Sequence, residues 1–448
     1  MKFPSFFSFV LRLALLVSFL YVIWNNSAEA SLSNELSLSQ AVGEAMQGSL
    51  VVQKSHSVRE EASWKRVETY SGFLPTLTGT ASYLTDKRYM LLDANLGSGA
   101  ITIPQVVPTT IYGVQASWPL FDGFASTRRW EAGISLESAA ESEYTWTRFT
   151  IERQTILQYY QVIAAKTLRE VSEQNLTTLK DHLKDVAALK RAGVSTNYDL
   201  LRVEVQISEA ESEVLSDTDN FEMSRLHLAE LLGKDKEDRL PTGTLPRLKP
   251  DILKGIQDAD TMERRDLIGL KERVQSLEFM DKSASAYWVP KISLVGQYQR
   301  YNNINDRFSD SDAFRDAYQV GVNLNWNLFD GMLSPARSAQ AAQQALQIQK
   351  TYQQTKLKAL QDLEFWKRKY AYFLAVAAAR AGDIERSAEA VRLAKAGRRA
   401  GTRTTTDLLD AELDLFRSKA GLVKAQMGSI EALVHLELAS GKKLYTFY

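Results

Sequence analysis

The chain has 448 residues with 54 basic and 54 acidic side chains. It therefore lacks the excess of positive charge that would indicate nucleic acid or another polyanion as a partner. It contains no cysteine, which excludes disulfides, thiolate metal sites, a cysteine nucleophile and a lipid anchor on cysteine. The four histidines are His56, His182, His227 and His435. They lie far apart in sequence, which indicates helix-surface positions rather than a metal site. No cofactor is predicted.

Residues 1–30 have the features of a secretory signal peptide. Lys2 and Arg12 precede an apolar run over 13–24, and the small-x-small sequence at 28–30 is typical of a cleavage site. The run is short for a membrane-spanning helix, and an uncleaved anchor is the alternative. No later stretch has about 18 consecutive apolar residues. We therefore predict that the protein is exported.

The rest of the sequence is duplicated. The segment Gly113–Gly123 returns 208 residues later as Gly321–Gly331, and both copies end in Trp-x-Leu-Phe-Asp-Gly. A long internal repeat determines the architecture of a chain. We therefore divide the sequence after the signal peptide into a first repeat at 31–232, a linker at 233–261 and a second repeat at 262–448.

Each repeat is predicted to contribute two β-strands joined by a hairpin loop. The strand regions are 76–121 and 291–329, with loops at 85–108 and 302–316. Apolar residues alternate in them with small or polar residues, as an outer-membrane β-barrel requires for its lipid and lumen faces. A soluble antiparallel sheet with one wet face is the alternative. In the barrel interpretation the membrane-facing residues include Trp118, Trp326, Val322 and Leu324.

Helices are predicted for most of the remaining sequence. Residues 124–190 contain no proline, and 332–395 contain only Pro335, in a first turn where proline is tolerated. Each long helix ends at a glycine turn and returns, which makes two helical hairpins. The predicted segments are hairpins at 124–232 and 332–440 and shorter helices at 38–70 and 262–287.

Apolar residues spaced by three and four positions indicate coiled-coil packing in both long helices. They are Leu176, Leu179, Leu183 and Val186 in the first copy, and Leu363, Trp366, Tyr370 and Phe373 in the second.

Four strands cannot close a membrane barrel, because such barrels begin at about eight strands. An open sheet edge in lipid leaves backbone groups unpaired. Strands that enter a membrane would therefore come from several chains, and three chains would supply twelve.

The segment 401–410, Gly-Thr-Arg-Thr-Thr-Thr-Asp-Leu-Leu-Asp, is similar to the Gly-Thr-Arg-Thr-x-x-Asp-x-Leu-Asp of one family. With the duplication, the order of strand, hairpin, strand and long helix, and the repeated Trp-x-Leu-Phe-Asp-Gly, the chain resembles TolC-type outer membrane factors, the outer membrane efflux protein family. The resemblance covers nearly all of residues 31–448.

The resemblance implies a fold that is mainly α with a membrane β-barrel contribution: long antiparallel helical hairpins forming an α-helical tunnel, and a twelve-stranded barrel completed in a homotrimer. It implies a non-enzymatic exit duct in the outer membrane of a Gram-negative bacterium, with a large periplasmic part. The duct would serve a tripartite efflux pump or type I secretion system. Its partners would be a periplasmic adaptor, an inner-membrane transporter of the RND, ABC or MFS type, and outer membrane lipid. The residues leave open two other classes, a periplasmic coiled-coil adaptor or scaffold and an exported enzyme, and the second would need a concentrated set of catalytic groups that the sequence does not contain.

The periplasmic ends of the hairpins are predicted to form a gate. Asp407 and Asp410 share one helix face, and threefold symmetry would place six carboxylates around one axis. Arg403 lies one turn earlier and is predicted to brace the closed state together with Arg202. Asp199 and Arg202 occupy the positions of Asp407 and Asp410 in the first copy. The resemblance implies that links such as Arg202 to an aspartate hold the tip closed. Helix capping is the alternative role for Asp199 and Asp407.

The hairpin turns are predicted to dock the adaptor through Gly193, Val194, Gly401 and Thr402. One position departs from the family. Its prototype carries a tyrosine three residues before the turn glycine, where this chain has Arg398. Arg398 and the following Arg399 add positive charge beside the proposed carboxylate ring, which argues against a purely cation-selective mouth.

Overall fold

The structure, a computed structural model, describes residues 35–85, 90–95, 100–105, 108–256, 263–302 and 310–447. The predicted signal peptide and parts of both predicted hairpin loops lie outside these residues. Within 1–53, 148–257 and 362–448 the described residues form a first compact unit, and within 54–147 and 258–361 they form a second. Each unit therefore draws on both sequence repeats.

The helices are α1 (Leu38–Gly48), α2 (Leu50–Thr69), α3 (Ala125–Arg191), α4 (Asn197–Leu231), α5 (Arg265–Ala284), α6 (Leu333–Arg399) and α7 (Thr405–Ser440). The strands are β1 (Glu35–Leu36), β2 (Thr76–Tyr83), β3 (Met90–Asn95), β4 (Ala100–Gln105), β5 (Thr110–Phe121), β6 (Leu240–Pro241), β7 (Lys291–Asn302) and β8 (Phe314–Asn325). The predicted fold class, mainly helical with long hairpins and a small sheet, is confirmed. None of the described helices is both long and apolar enough to span a bilayer.

The helix predicted over 38–70 is in fact two helices. Ser49 separates α1 from α2 with an extended ψ of 121°. The chain passes very close to a carbonyl at this point, since a Cβ added to Gly48 would lie 2.2 Å from the oxygen of Leu232. This contact between residues distant in sequence explains why helical periodicity alone missed the break.

Strands β2, β5, β7 and β8 form one antiparallel sheet in that order, in the second unit. The register places Gln115, Gln297 and Gln319 in one row across three strands. Gln319 donates a hydrogen bond of 2.8 Å to Gln297. The neighbouring row on the opposite face contains Val114, Tyr298 and Tyr318. The prediction that each strand has one polar and one mainly apolar face is confirmed.

Two predictions for this region were wrong in detail. The segment 85–108 is not a plain loop, because β3 and β4 pair within it as a separate two-stranded sheet. The second strand region, predicted to reach residue 329, ends at Asn325. Trp326 leaves the strand and donates its indole N–H to the carbonyl of Trp288 at 3.0 Å, which ties the strand end to a short 3-10 turn.

In both copies the sequence Phe-Asp-Gly forms the turn that connects the strand region to the long helix that follows it. Asp122 accepts a hydrogen bond from the backbone N–H of Ser126 at 2.8 Å, and Asp330 accepts one from Ser334 at 3.0 Å. Each aspartate therefore satisfies a backbone N–H in the first turn of the helix that follows. Two consecutive residues of positive φ make each turn: Gly123 (71°) and Phe124 (63°), and Gly331 (69°) and Met332 (71°).

The first unit is held together by the predicted coiled-coil residues. Leu179 and Val186 are buried in one cluster with Val203 and Leu409, so α3, α4 and α7 pack together. In α6, Leu363 and Tyr370 are buried, with Trp366 and Phe373 packed against them. The spacing of three and four residues therefore identified the core correctly.

Ion pairs connect the linker to the first unit. Arg239 contacts Glu44 of α1 at 2.7 Å and Glu237 at 2.8 Å, and Lys234 contacts the same two carboxylates at 2.7 and 2.9 Å. The hydrogen bonds from Arg239, opposed by burial and aided by Lys234, lower the pKa of Glu237 to about 2. The described part of the linker, 233–256, thus belongs to the first unit.

Candidate functional site at the helix-hairpin turns

The turns that join α3 to α4 and α6 to α7 have the same geometry. Gly193 and Gly401 have φ angles of 76° and 72°, the left-handed conformation that ends a helix with little cost for glycine. The backbone hydrogen bonds that close the turns run from Gly193 to Lys190 (3.0 Å) and Val194 to Leu189 (2.9 Å), and from Gly401 to Arg398 (3.1 Å) and Thr402 to Gly397 (2.9 Å). Because Val194 is 74 % exposed, the first turn presents an apolar side chain to solvent.

The first aspartate after each turn caps the returning helix. Thr196 donates its backbone N–H to Asp199 at 2.9 Å, and Asp199 returns its own N–H to the Thr196 hydroxyl at 3.2 Å. Thr404 and Asp407 form the same box at 2.8 and 3.1 Å. The backbone N–H of each threonine lowers the pKa of the aspartate. Capping, the alternative role for Asp199 and Asp407, is confirmed within the chain.

Asp410 has a different environment. Arg202 of α4 places Nη2 3.4 Å from Asp410 Oδ1 and Nη1 3.1 Å from the Thr406 hydroxyl, both on α7. One guanidinium thus links the two hairpins beside their turns. The predicted contact between Arg202 and an aspartate is present in a single chain.

Arg403 behaves differently from Arg202. Among the described residues it forms no ion pair, although its charge is one of the smaller causes of the lowered pKa of Asp407. Its side chain lies over the last turn of α6, where a Cβ added to Gly397 would be 2.6 Å from Arg403 Cγ. Its predicted bracing role therefore has no partner within the described part of the chain.

The prediction that every histidine lies on a helix surface was wrong for His182. This residue and Glu412 are buried, each with a side chain 7 % exposed, and His182 Nε2 lies 2.5 Å from Glu412 Oε2. Lys395 lies 3.1 Å from Glu412 Oε1, and Arg398 Nη1 lies 3.2 Å from His182 Nδ1. A sequence signal did exist, because His182 falls three residues after Leu179 and four before Val186, on the packed face of α3.

The predicted membrane-facing residues lie in the second unit. Val322 and Leu324 are on β8, on the same face of the sheet as the apolar row. Their exposed fractions in the single chain are 67 % and 61 %. Trp118 is on β5, and its indole N–H donates to the carbonyl of Phe73 at 2.9 Å. Trp118 and Trp326 therefore make equivalent hydrogen bonds in the two copies, at the joint between helix and strand. Contact with lipid stays a prediction for all four residues.

The fold is that of outer membrane channels. The chain is similar to the CmeC outer membrane channel of Campylobacter jejuni, with a TM-score of 0.78 and 15 % identity over 91 % of this chain and 86 % of that one. It is also similar to the MtrE outer membrane channel of Neisseria gonorrhoeae, with a TM-score of 0.71 and 18 % identity over 91 % and 89 % of the two chains. At such identities the likeness concerns the fold.

Sequence comparison identifies the family. The model described as outer membrane efflux protein matches residues 41–234 and 262–442, so the chain belongs to this family. A relative with the same description, the outer membrane efflux protein BepC of Brucella suis, is 22 % identical over 355 residues, 78 % of this chain and 75 % of that protein. The protein is therefore an outer membrane efflux duct with a large periplasmic part, and the alternative of a periplasmic adaptor is rejected.

Proposed function

We propose that three copies of the chain form one channel, in which their sheets close a twelve-stranded barrel in the outer membrane. In the described residues β2 and β8 are the outer strands of the sheet, each paired with one neighbour. Four strands are too few to close a membrane barrel, and unpaired edges are costly in lipid. In three copies joined edge to edge, every strand has a neighbour on both sides for its backbone hydrogen bonds. The apolar face of the sheet, which includes Val322 and Leu324, then faces lipid, and the face with the row of glutamines faces the lumen.

The channel is the passive exit duct of a tripartite efflux pump or type I secretion system. A periplasmic adaptor docks at the hairpin turns Gly193–Val194 and Gly401–Thr402, and an inner-membrane transporter supplies the energy. The exposure of Val194 beside a rigid turn supports the docking role, since an exposed apolar side chain on a fixed backbone is a suitable contact for a partner helix.

The hairpin ends act as a gate, and the link from Arg202 to Thr406 and Asp410 carries this proposal. The carboxylates of Asp199 and Asp407 are engaged in capping, whereas Asp410 is half-exposed and its partner lies on the other hairpin. The ring predicted from six carboxylates is therefore reduced to three copies of Asp410, one from each chain. Three converging carboxylates would bind a divalent cation, and Arg202 would hold the hairpins in the closed arrangement.

Single-channel conductance of the purified protein in planar bilayers tests the duct and the gate together. Arg202→Gln removes the link, and we expect a several-fold higher conductance than in wild type. Asp410→Asn removes the ring charge, and we expect it to relieve a block by divalent cations added on the helical side. Asp414→Asn, which changes an exposed aspartate one turn further along α7, is the matched control and leaves both properties unchanged.

The outcomes are distinct. Equal conductance and equal block in all variants would keep the duct and reduce Arg202 and Asp410 to a structural contact. Folded protein that forms no channel at all would contradict the proposed function.

A further inference from the structure

Three side chains form a continuous hydrogen-bonded chain across the hairpins, between about one and about three helical turns from the glycine turns. They come from three helices: Arg398 from α6, His182 from α3 and Glu412 from α7. His182 stands in the middle, 3.2 Å from Arg398 and 2.5 Å from Glu412.

The partners define the protonation state of the imidazole. A guanidinium can only donate hydrogen bonds, so His182 Nδ1 must accept from Arg398. Burial opposes ionisation of Glu412, but the bonds from His182 and the charge of Lys395 keep its pKa below the ordinary value. The carboxylate is therefore ionised and accepts a proton-bearing Nε2. An imidazole that accepts at Nδ1 from a guanidinium and donates from Nε2 to a carboxylate is the neutral tautomer with its hydrogen on Nε2.

Protonation of His182 is incompatible with this arrangement. A second hydrogen on Nδ1 would point at a guanidinium that also carries only donors, and both groups would be positive. Arg398 would have to leave Nδ1. The bond from Nε2 to Glu412 would become an ion pair and persist, because both of its charges are then opposite. The hydrogen bond from Arg398 to His182 is lost, which leaves Arg398 with only the exposed Asp185 of α3, while the bond between His182 and Glu412 is kept.

Other charged groups around the imidazole do not replace the lost bond. Asp185, on the helix of His182, is 3.8 Å from Arg398 Nη2 but is 68 % exposed, so solvent screens this pair. Asp181 on α3 is also exposed, and Lys395 on α6 is engaged with Glu412. Glu209 and Glu213 of α4 line, with Glu412, a cavity of about 90 Å³ that Arg398 does not line. Arg399 lines the larger cavity of about 560 Å³ beside His182 and adds further positive charge.

We propose that Arg398, His182 and Glu412 form an acid-released latch that regulates the gate. At neutral pH the neutral imidazole holds the end of α6 against α3. In mild acid His182 takes up a proton, Arg398 is expelled into the adjacent cavity, and the end of the second hairpin is free to move. The inference rests on the proposed gate and adds the chemical signal that opens it. An imidazole is the one side chain that ordinarily changes charge between about pH 5 and 8.

The test is conductance in planar bilayers at about pH 7.5 and about pH 5.5, an interval that spans the ordinary titration of imidazole. Wild type should conduct several-fold more in acid. His182→Gln should stay at the low conductance at both values, because an amide can donate to Glu412 and accept from Arg398 but does not titrate. His227→Gln, which removes a histidine 60 % exposed on α4, is the matched control and should respond like wild type.

Arg398→Gln provides a second, independent variant. It removes the latch at every pH, so we expect high conductance at both values. A pH response that survives unchanged in His182→Gln or in Arg398→Gln would overturn the latch, as would a wild type without a response. In those cases open channels would still be recorded, whereas failure of the proposed function would show as no channels in any variant.

Discussion

The capping boxes show how one residue type serves two roles within a few positions. Asp407 is held by the backbone N–H of Thr404, while Asp410, three residues later, faces Arg202 on the other hairpin. Local geometry therefore decides which aspartate is free for a function between hairpins. The sequence motif contains both and does not distinguish them.

The cap at Thr404 has a measurable local effect. Thr404→Ala removes the hydroxyl that accepts the Asp407 N–H, and we expect a loss of about 1 kcal/mol in the stability of the first turn of α7. Hydrogen exchange of the amides in that turn should accelerate accordingly. Thr405→Ala, at the next position inside the helix, is the control. Equal exchange in both variants would show that the box contributes nothing.

The charge cluster of the linker predicts a dependence on pH. The folded-state pKa of Glu237 is about 2 against an ordinary 4.5, so its stabilising contribution is complete above pH 4.5. It is lost as the pH falls from there through about 2. Thermal unfolding of the helical circular dichroism signal should therefore shift further between neutral pH and pH 2.5 in wild type than in Glu237→Gln. Parallel shifts would mean that other carboxylates carry the acid sensitivity.

At the scale of elements, the turns into α3 and α6 each contain a non-glycine residue of positive φ. Phe124 and Met332 directly follow the glycine of Phe-Asp-Gly in the two copies. Left-handed backbone costs such a side chain about 1–2 kcal/mol. Each of these residues directly precedes its helix, so the left-handed pair sets the direction in which the helix starts.

Met332→Gly should relieve that strain. The side chain is 63 % exposed, so little packing is lost, and we expect the midpoint of thermal unfolding to rise. Leu333→Gly, one residue later and inside α6, is the control and should lower the midpoint, since glycine costs a helix about 1 kcal/mol. If both substitutions destabilise equally, the methionine contacts outweigh its backbone strain.

At the scale of the whole molecule, the proposed channel of three chains would place one face of the sheet against lipid and the other against the aqueous lumen. Val322 lies on the apolar face of β8 and Asn323 on the other. A lysine on the lipid face of a barrel costs about 2–4 kcal/mol at the membrane midplane. We therefore expect Val322→Lys to be depleted from the heat-modifiable trimer in outer membrane fractions.

Asn323→Lys is the matched substitution on the neighbouring residue. It should assemble normally and shift the ion selectivity of the channel towards anions, because the added charge would face the lumen. The reverse result, with Val322→Lys assembling and Asn323→Lys failing, would invert the proposed orientation of the sheet.

Much of this architecture follows from local patterns. Alternation along β7 and β8 predicted their faces, spacing in α3 and α6 predicted the buried residues, and glycine followed by threonine and aspartate predicted both turns. Each of these signals depends on residues only a few positions apart. Two features were missed. The break between α1 and α2 lies beside the carbonyl of Leu232, which is distant in sequence. The pairing of β3 with β4 lies within a segment that was expected to be a loop.

The sequence by itself determined the duplication, the order of elements and the family, because these are properties of a linear pattern. Only the tertiary structure decided which charged groups meet. Arg202 and Asp410 are 208 residues apart, and His182 and Glu412 are 230 apart. Their pairing depends on how one helical hairpin packs against the other, and the interaction of two charges depends on their distance and burial, which no local spacing records.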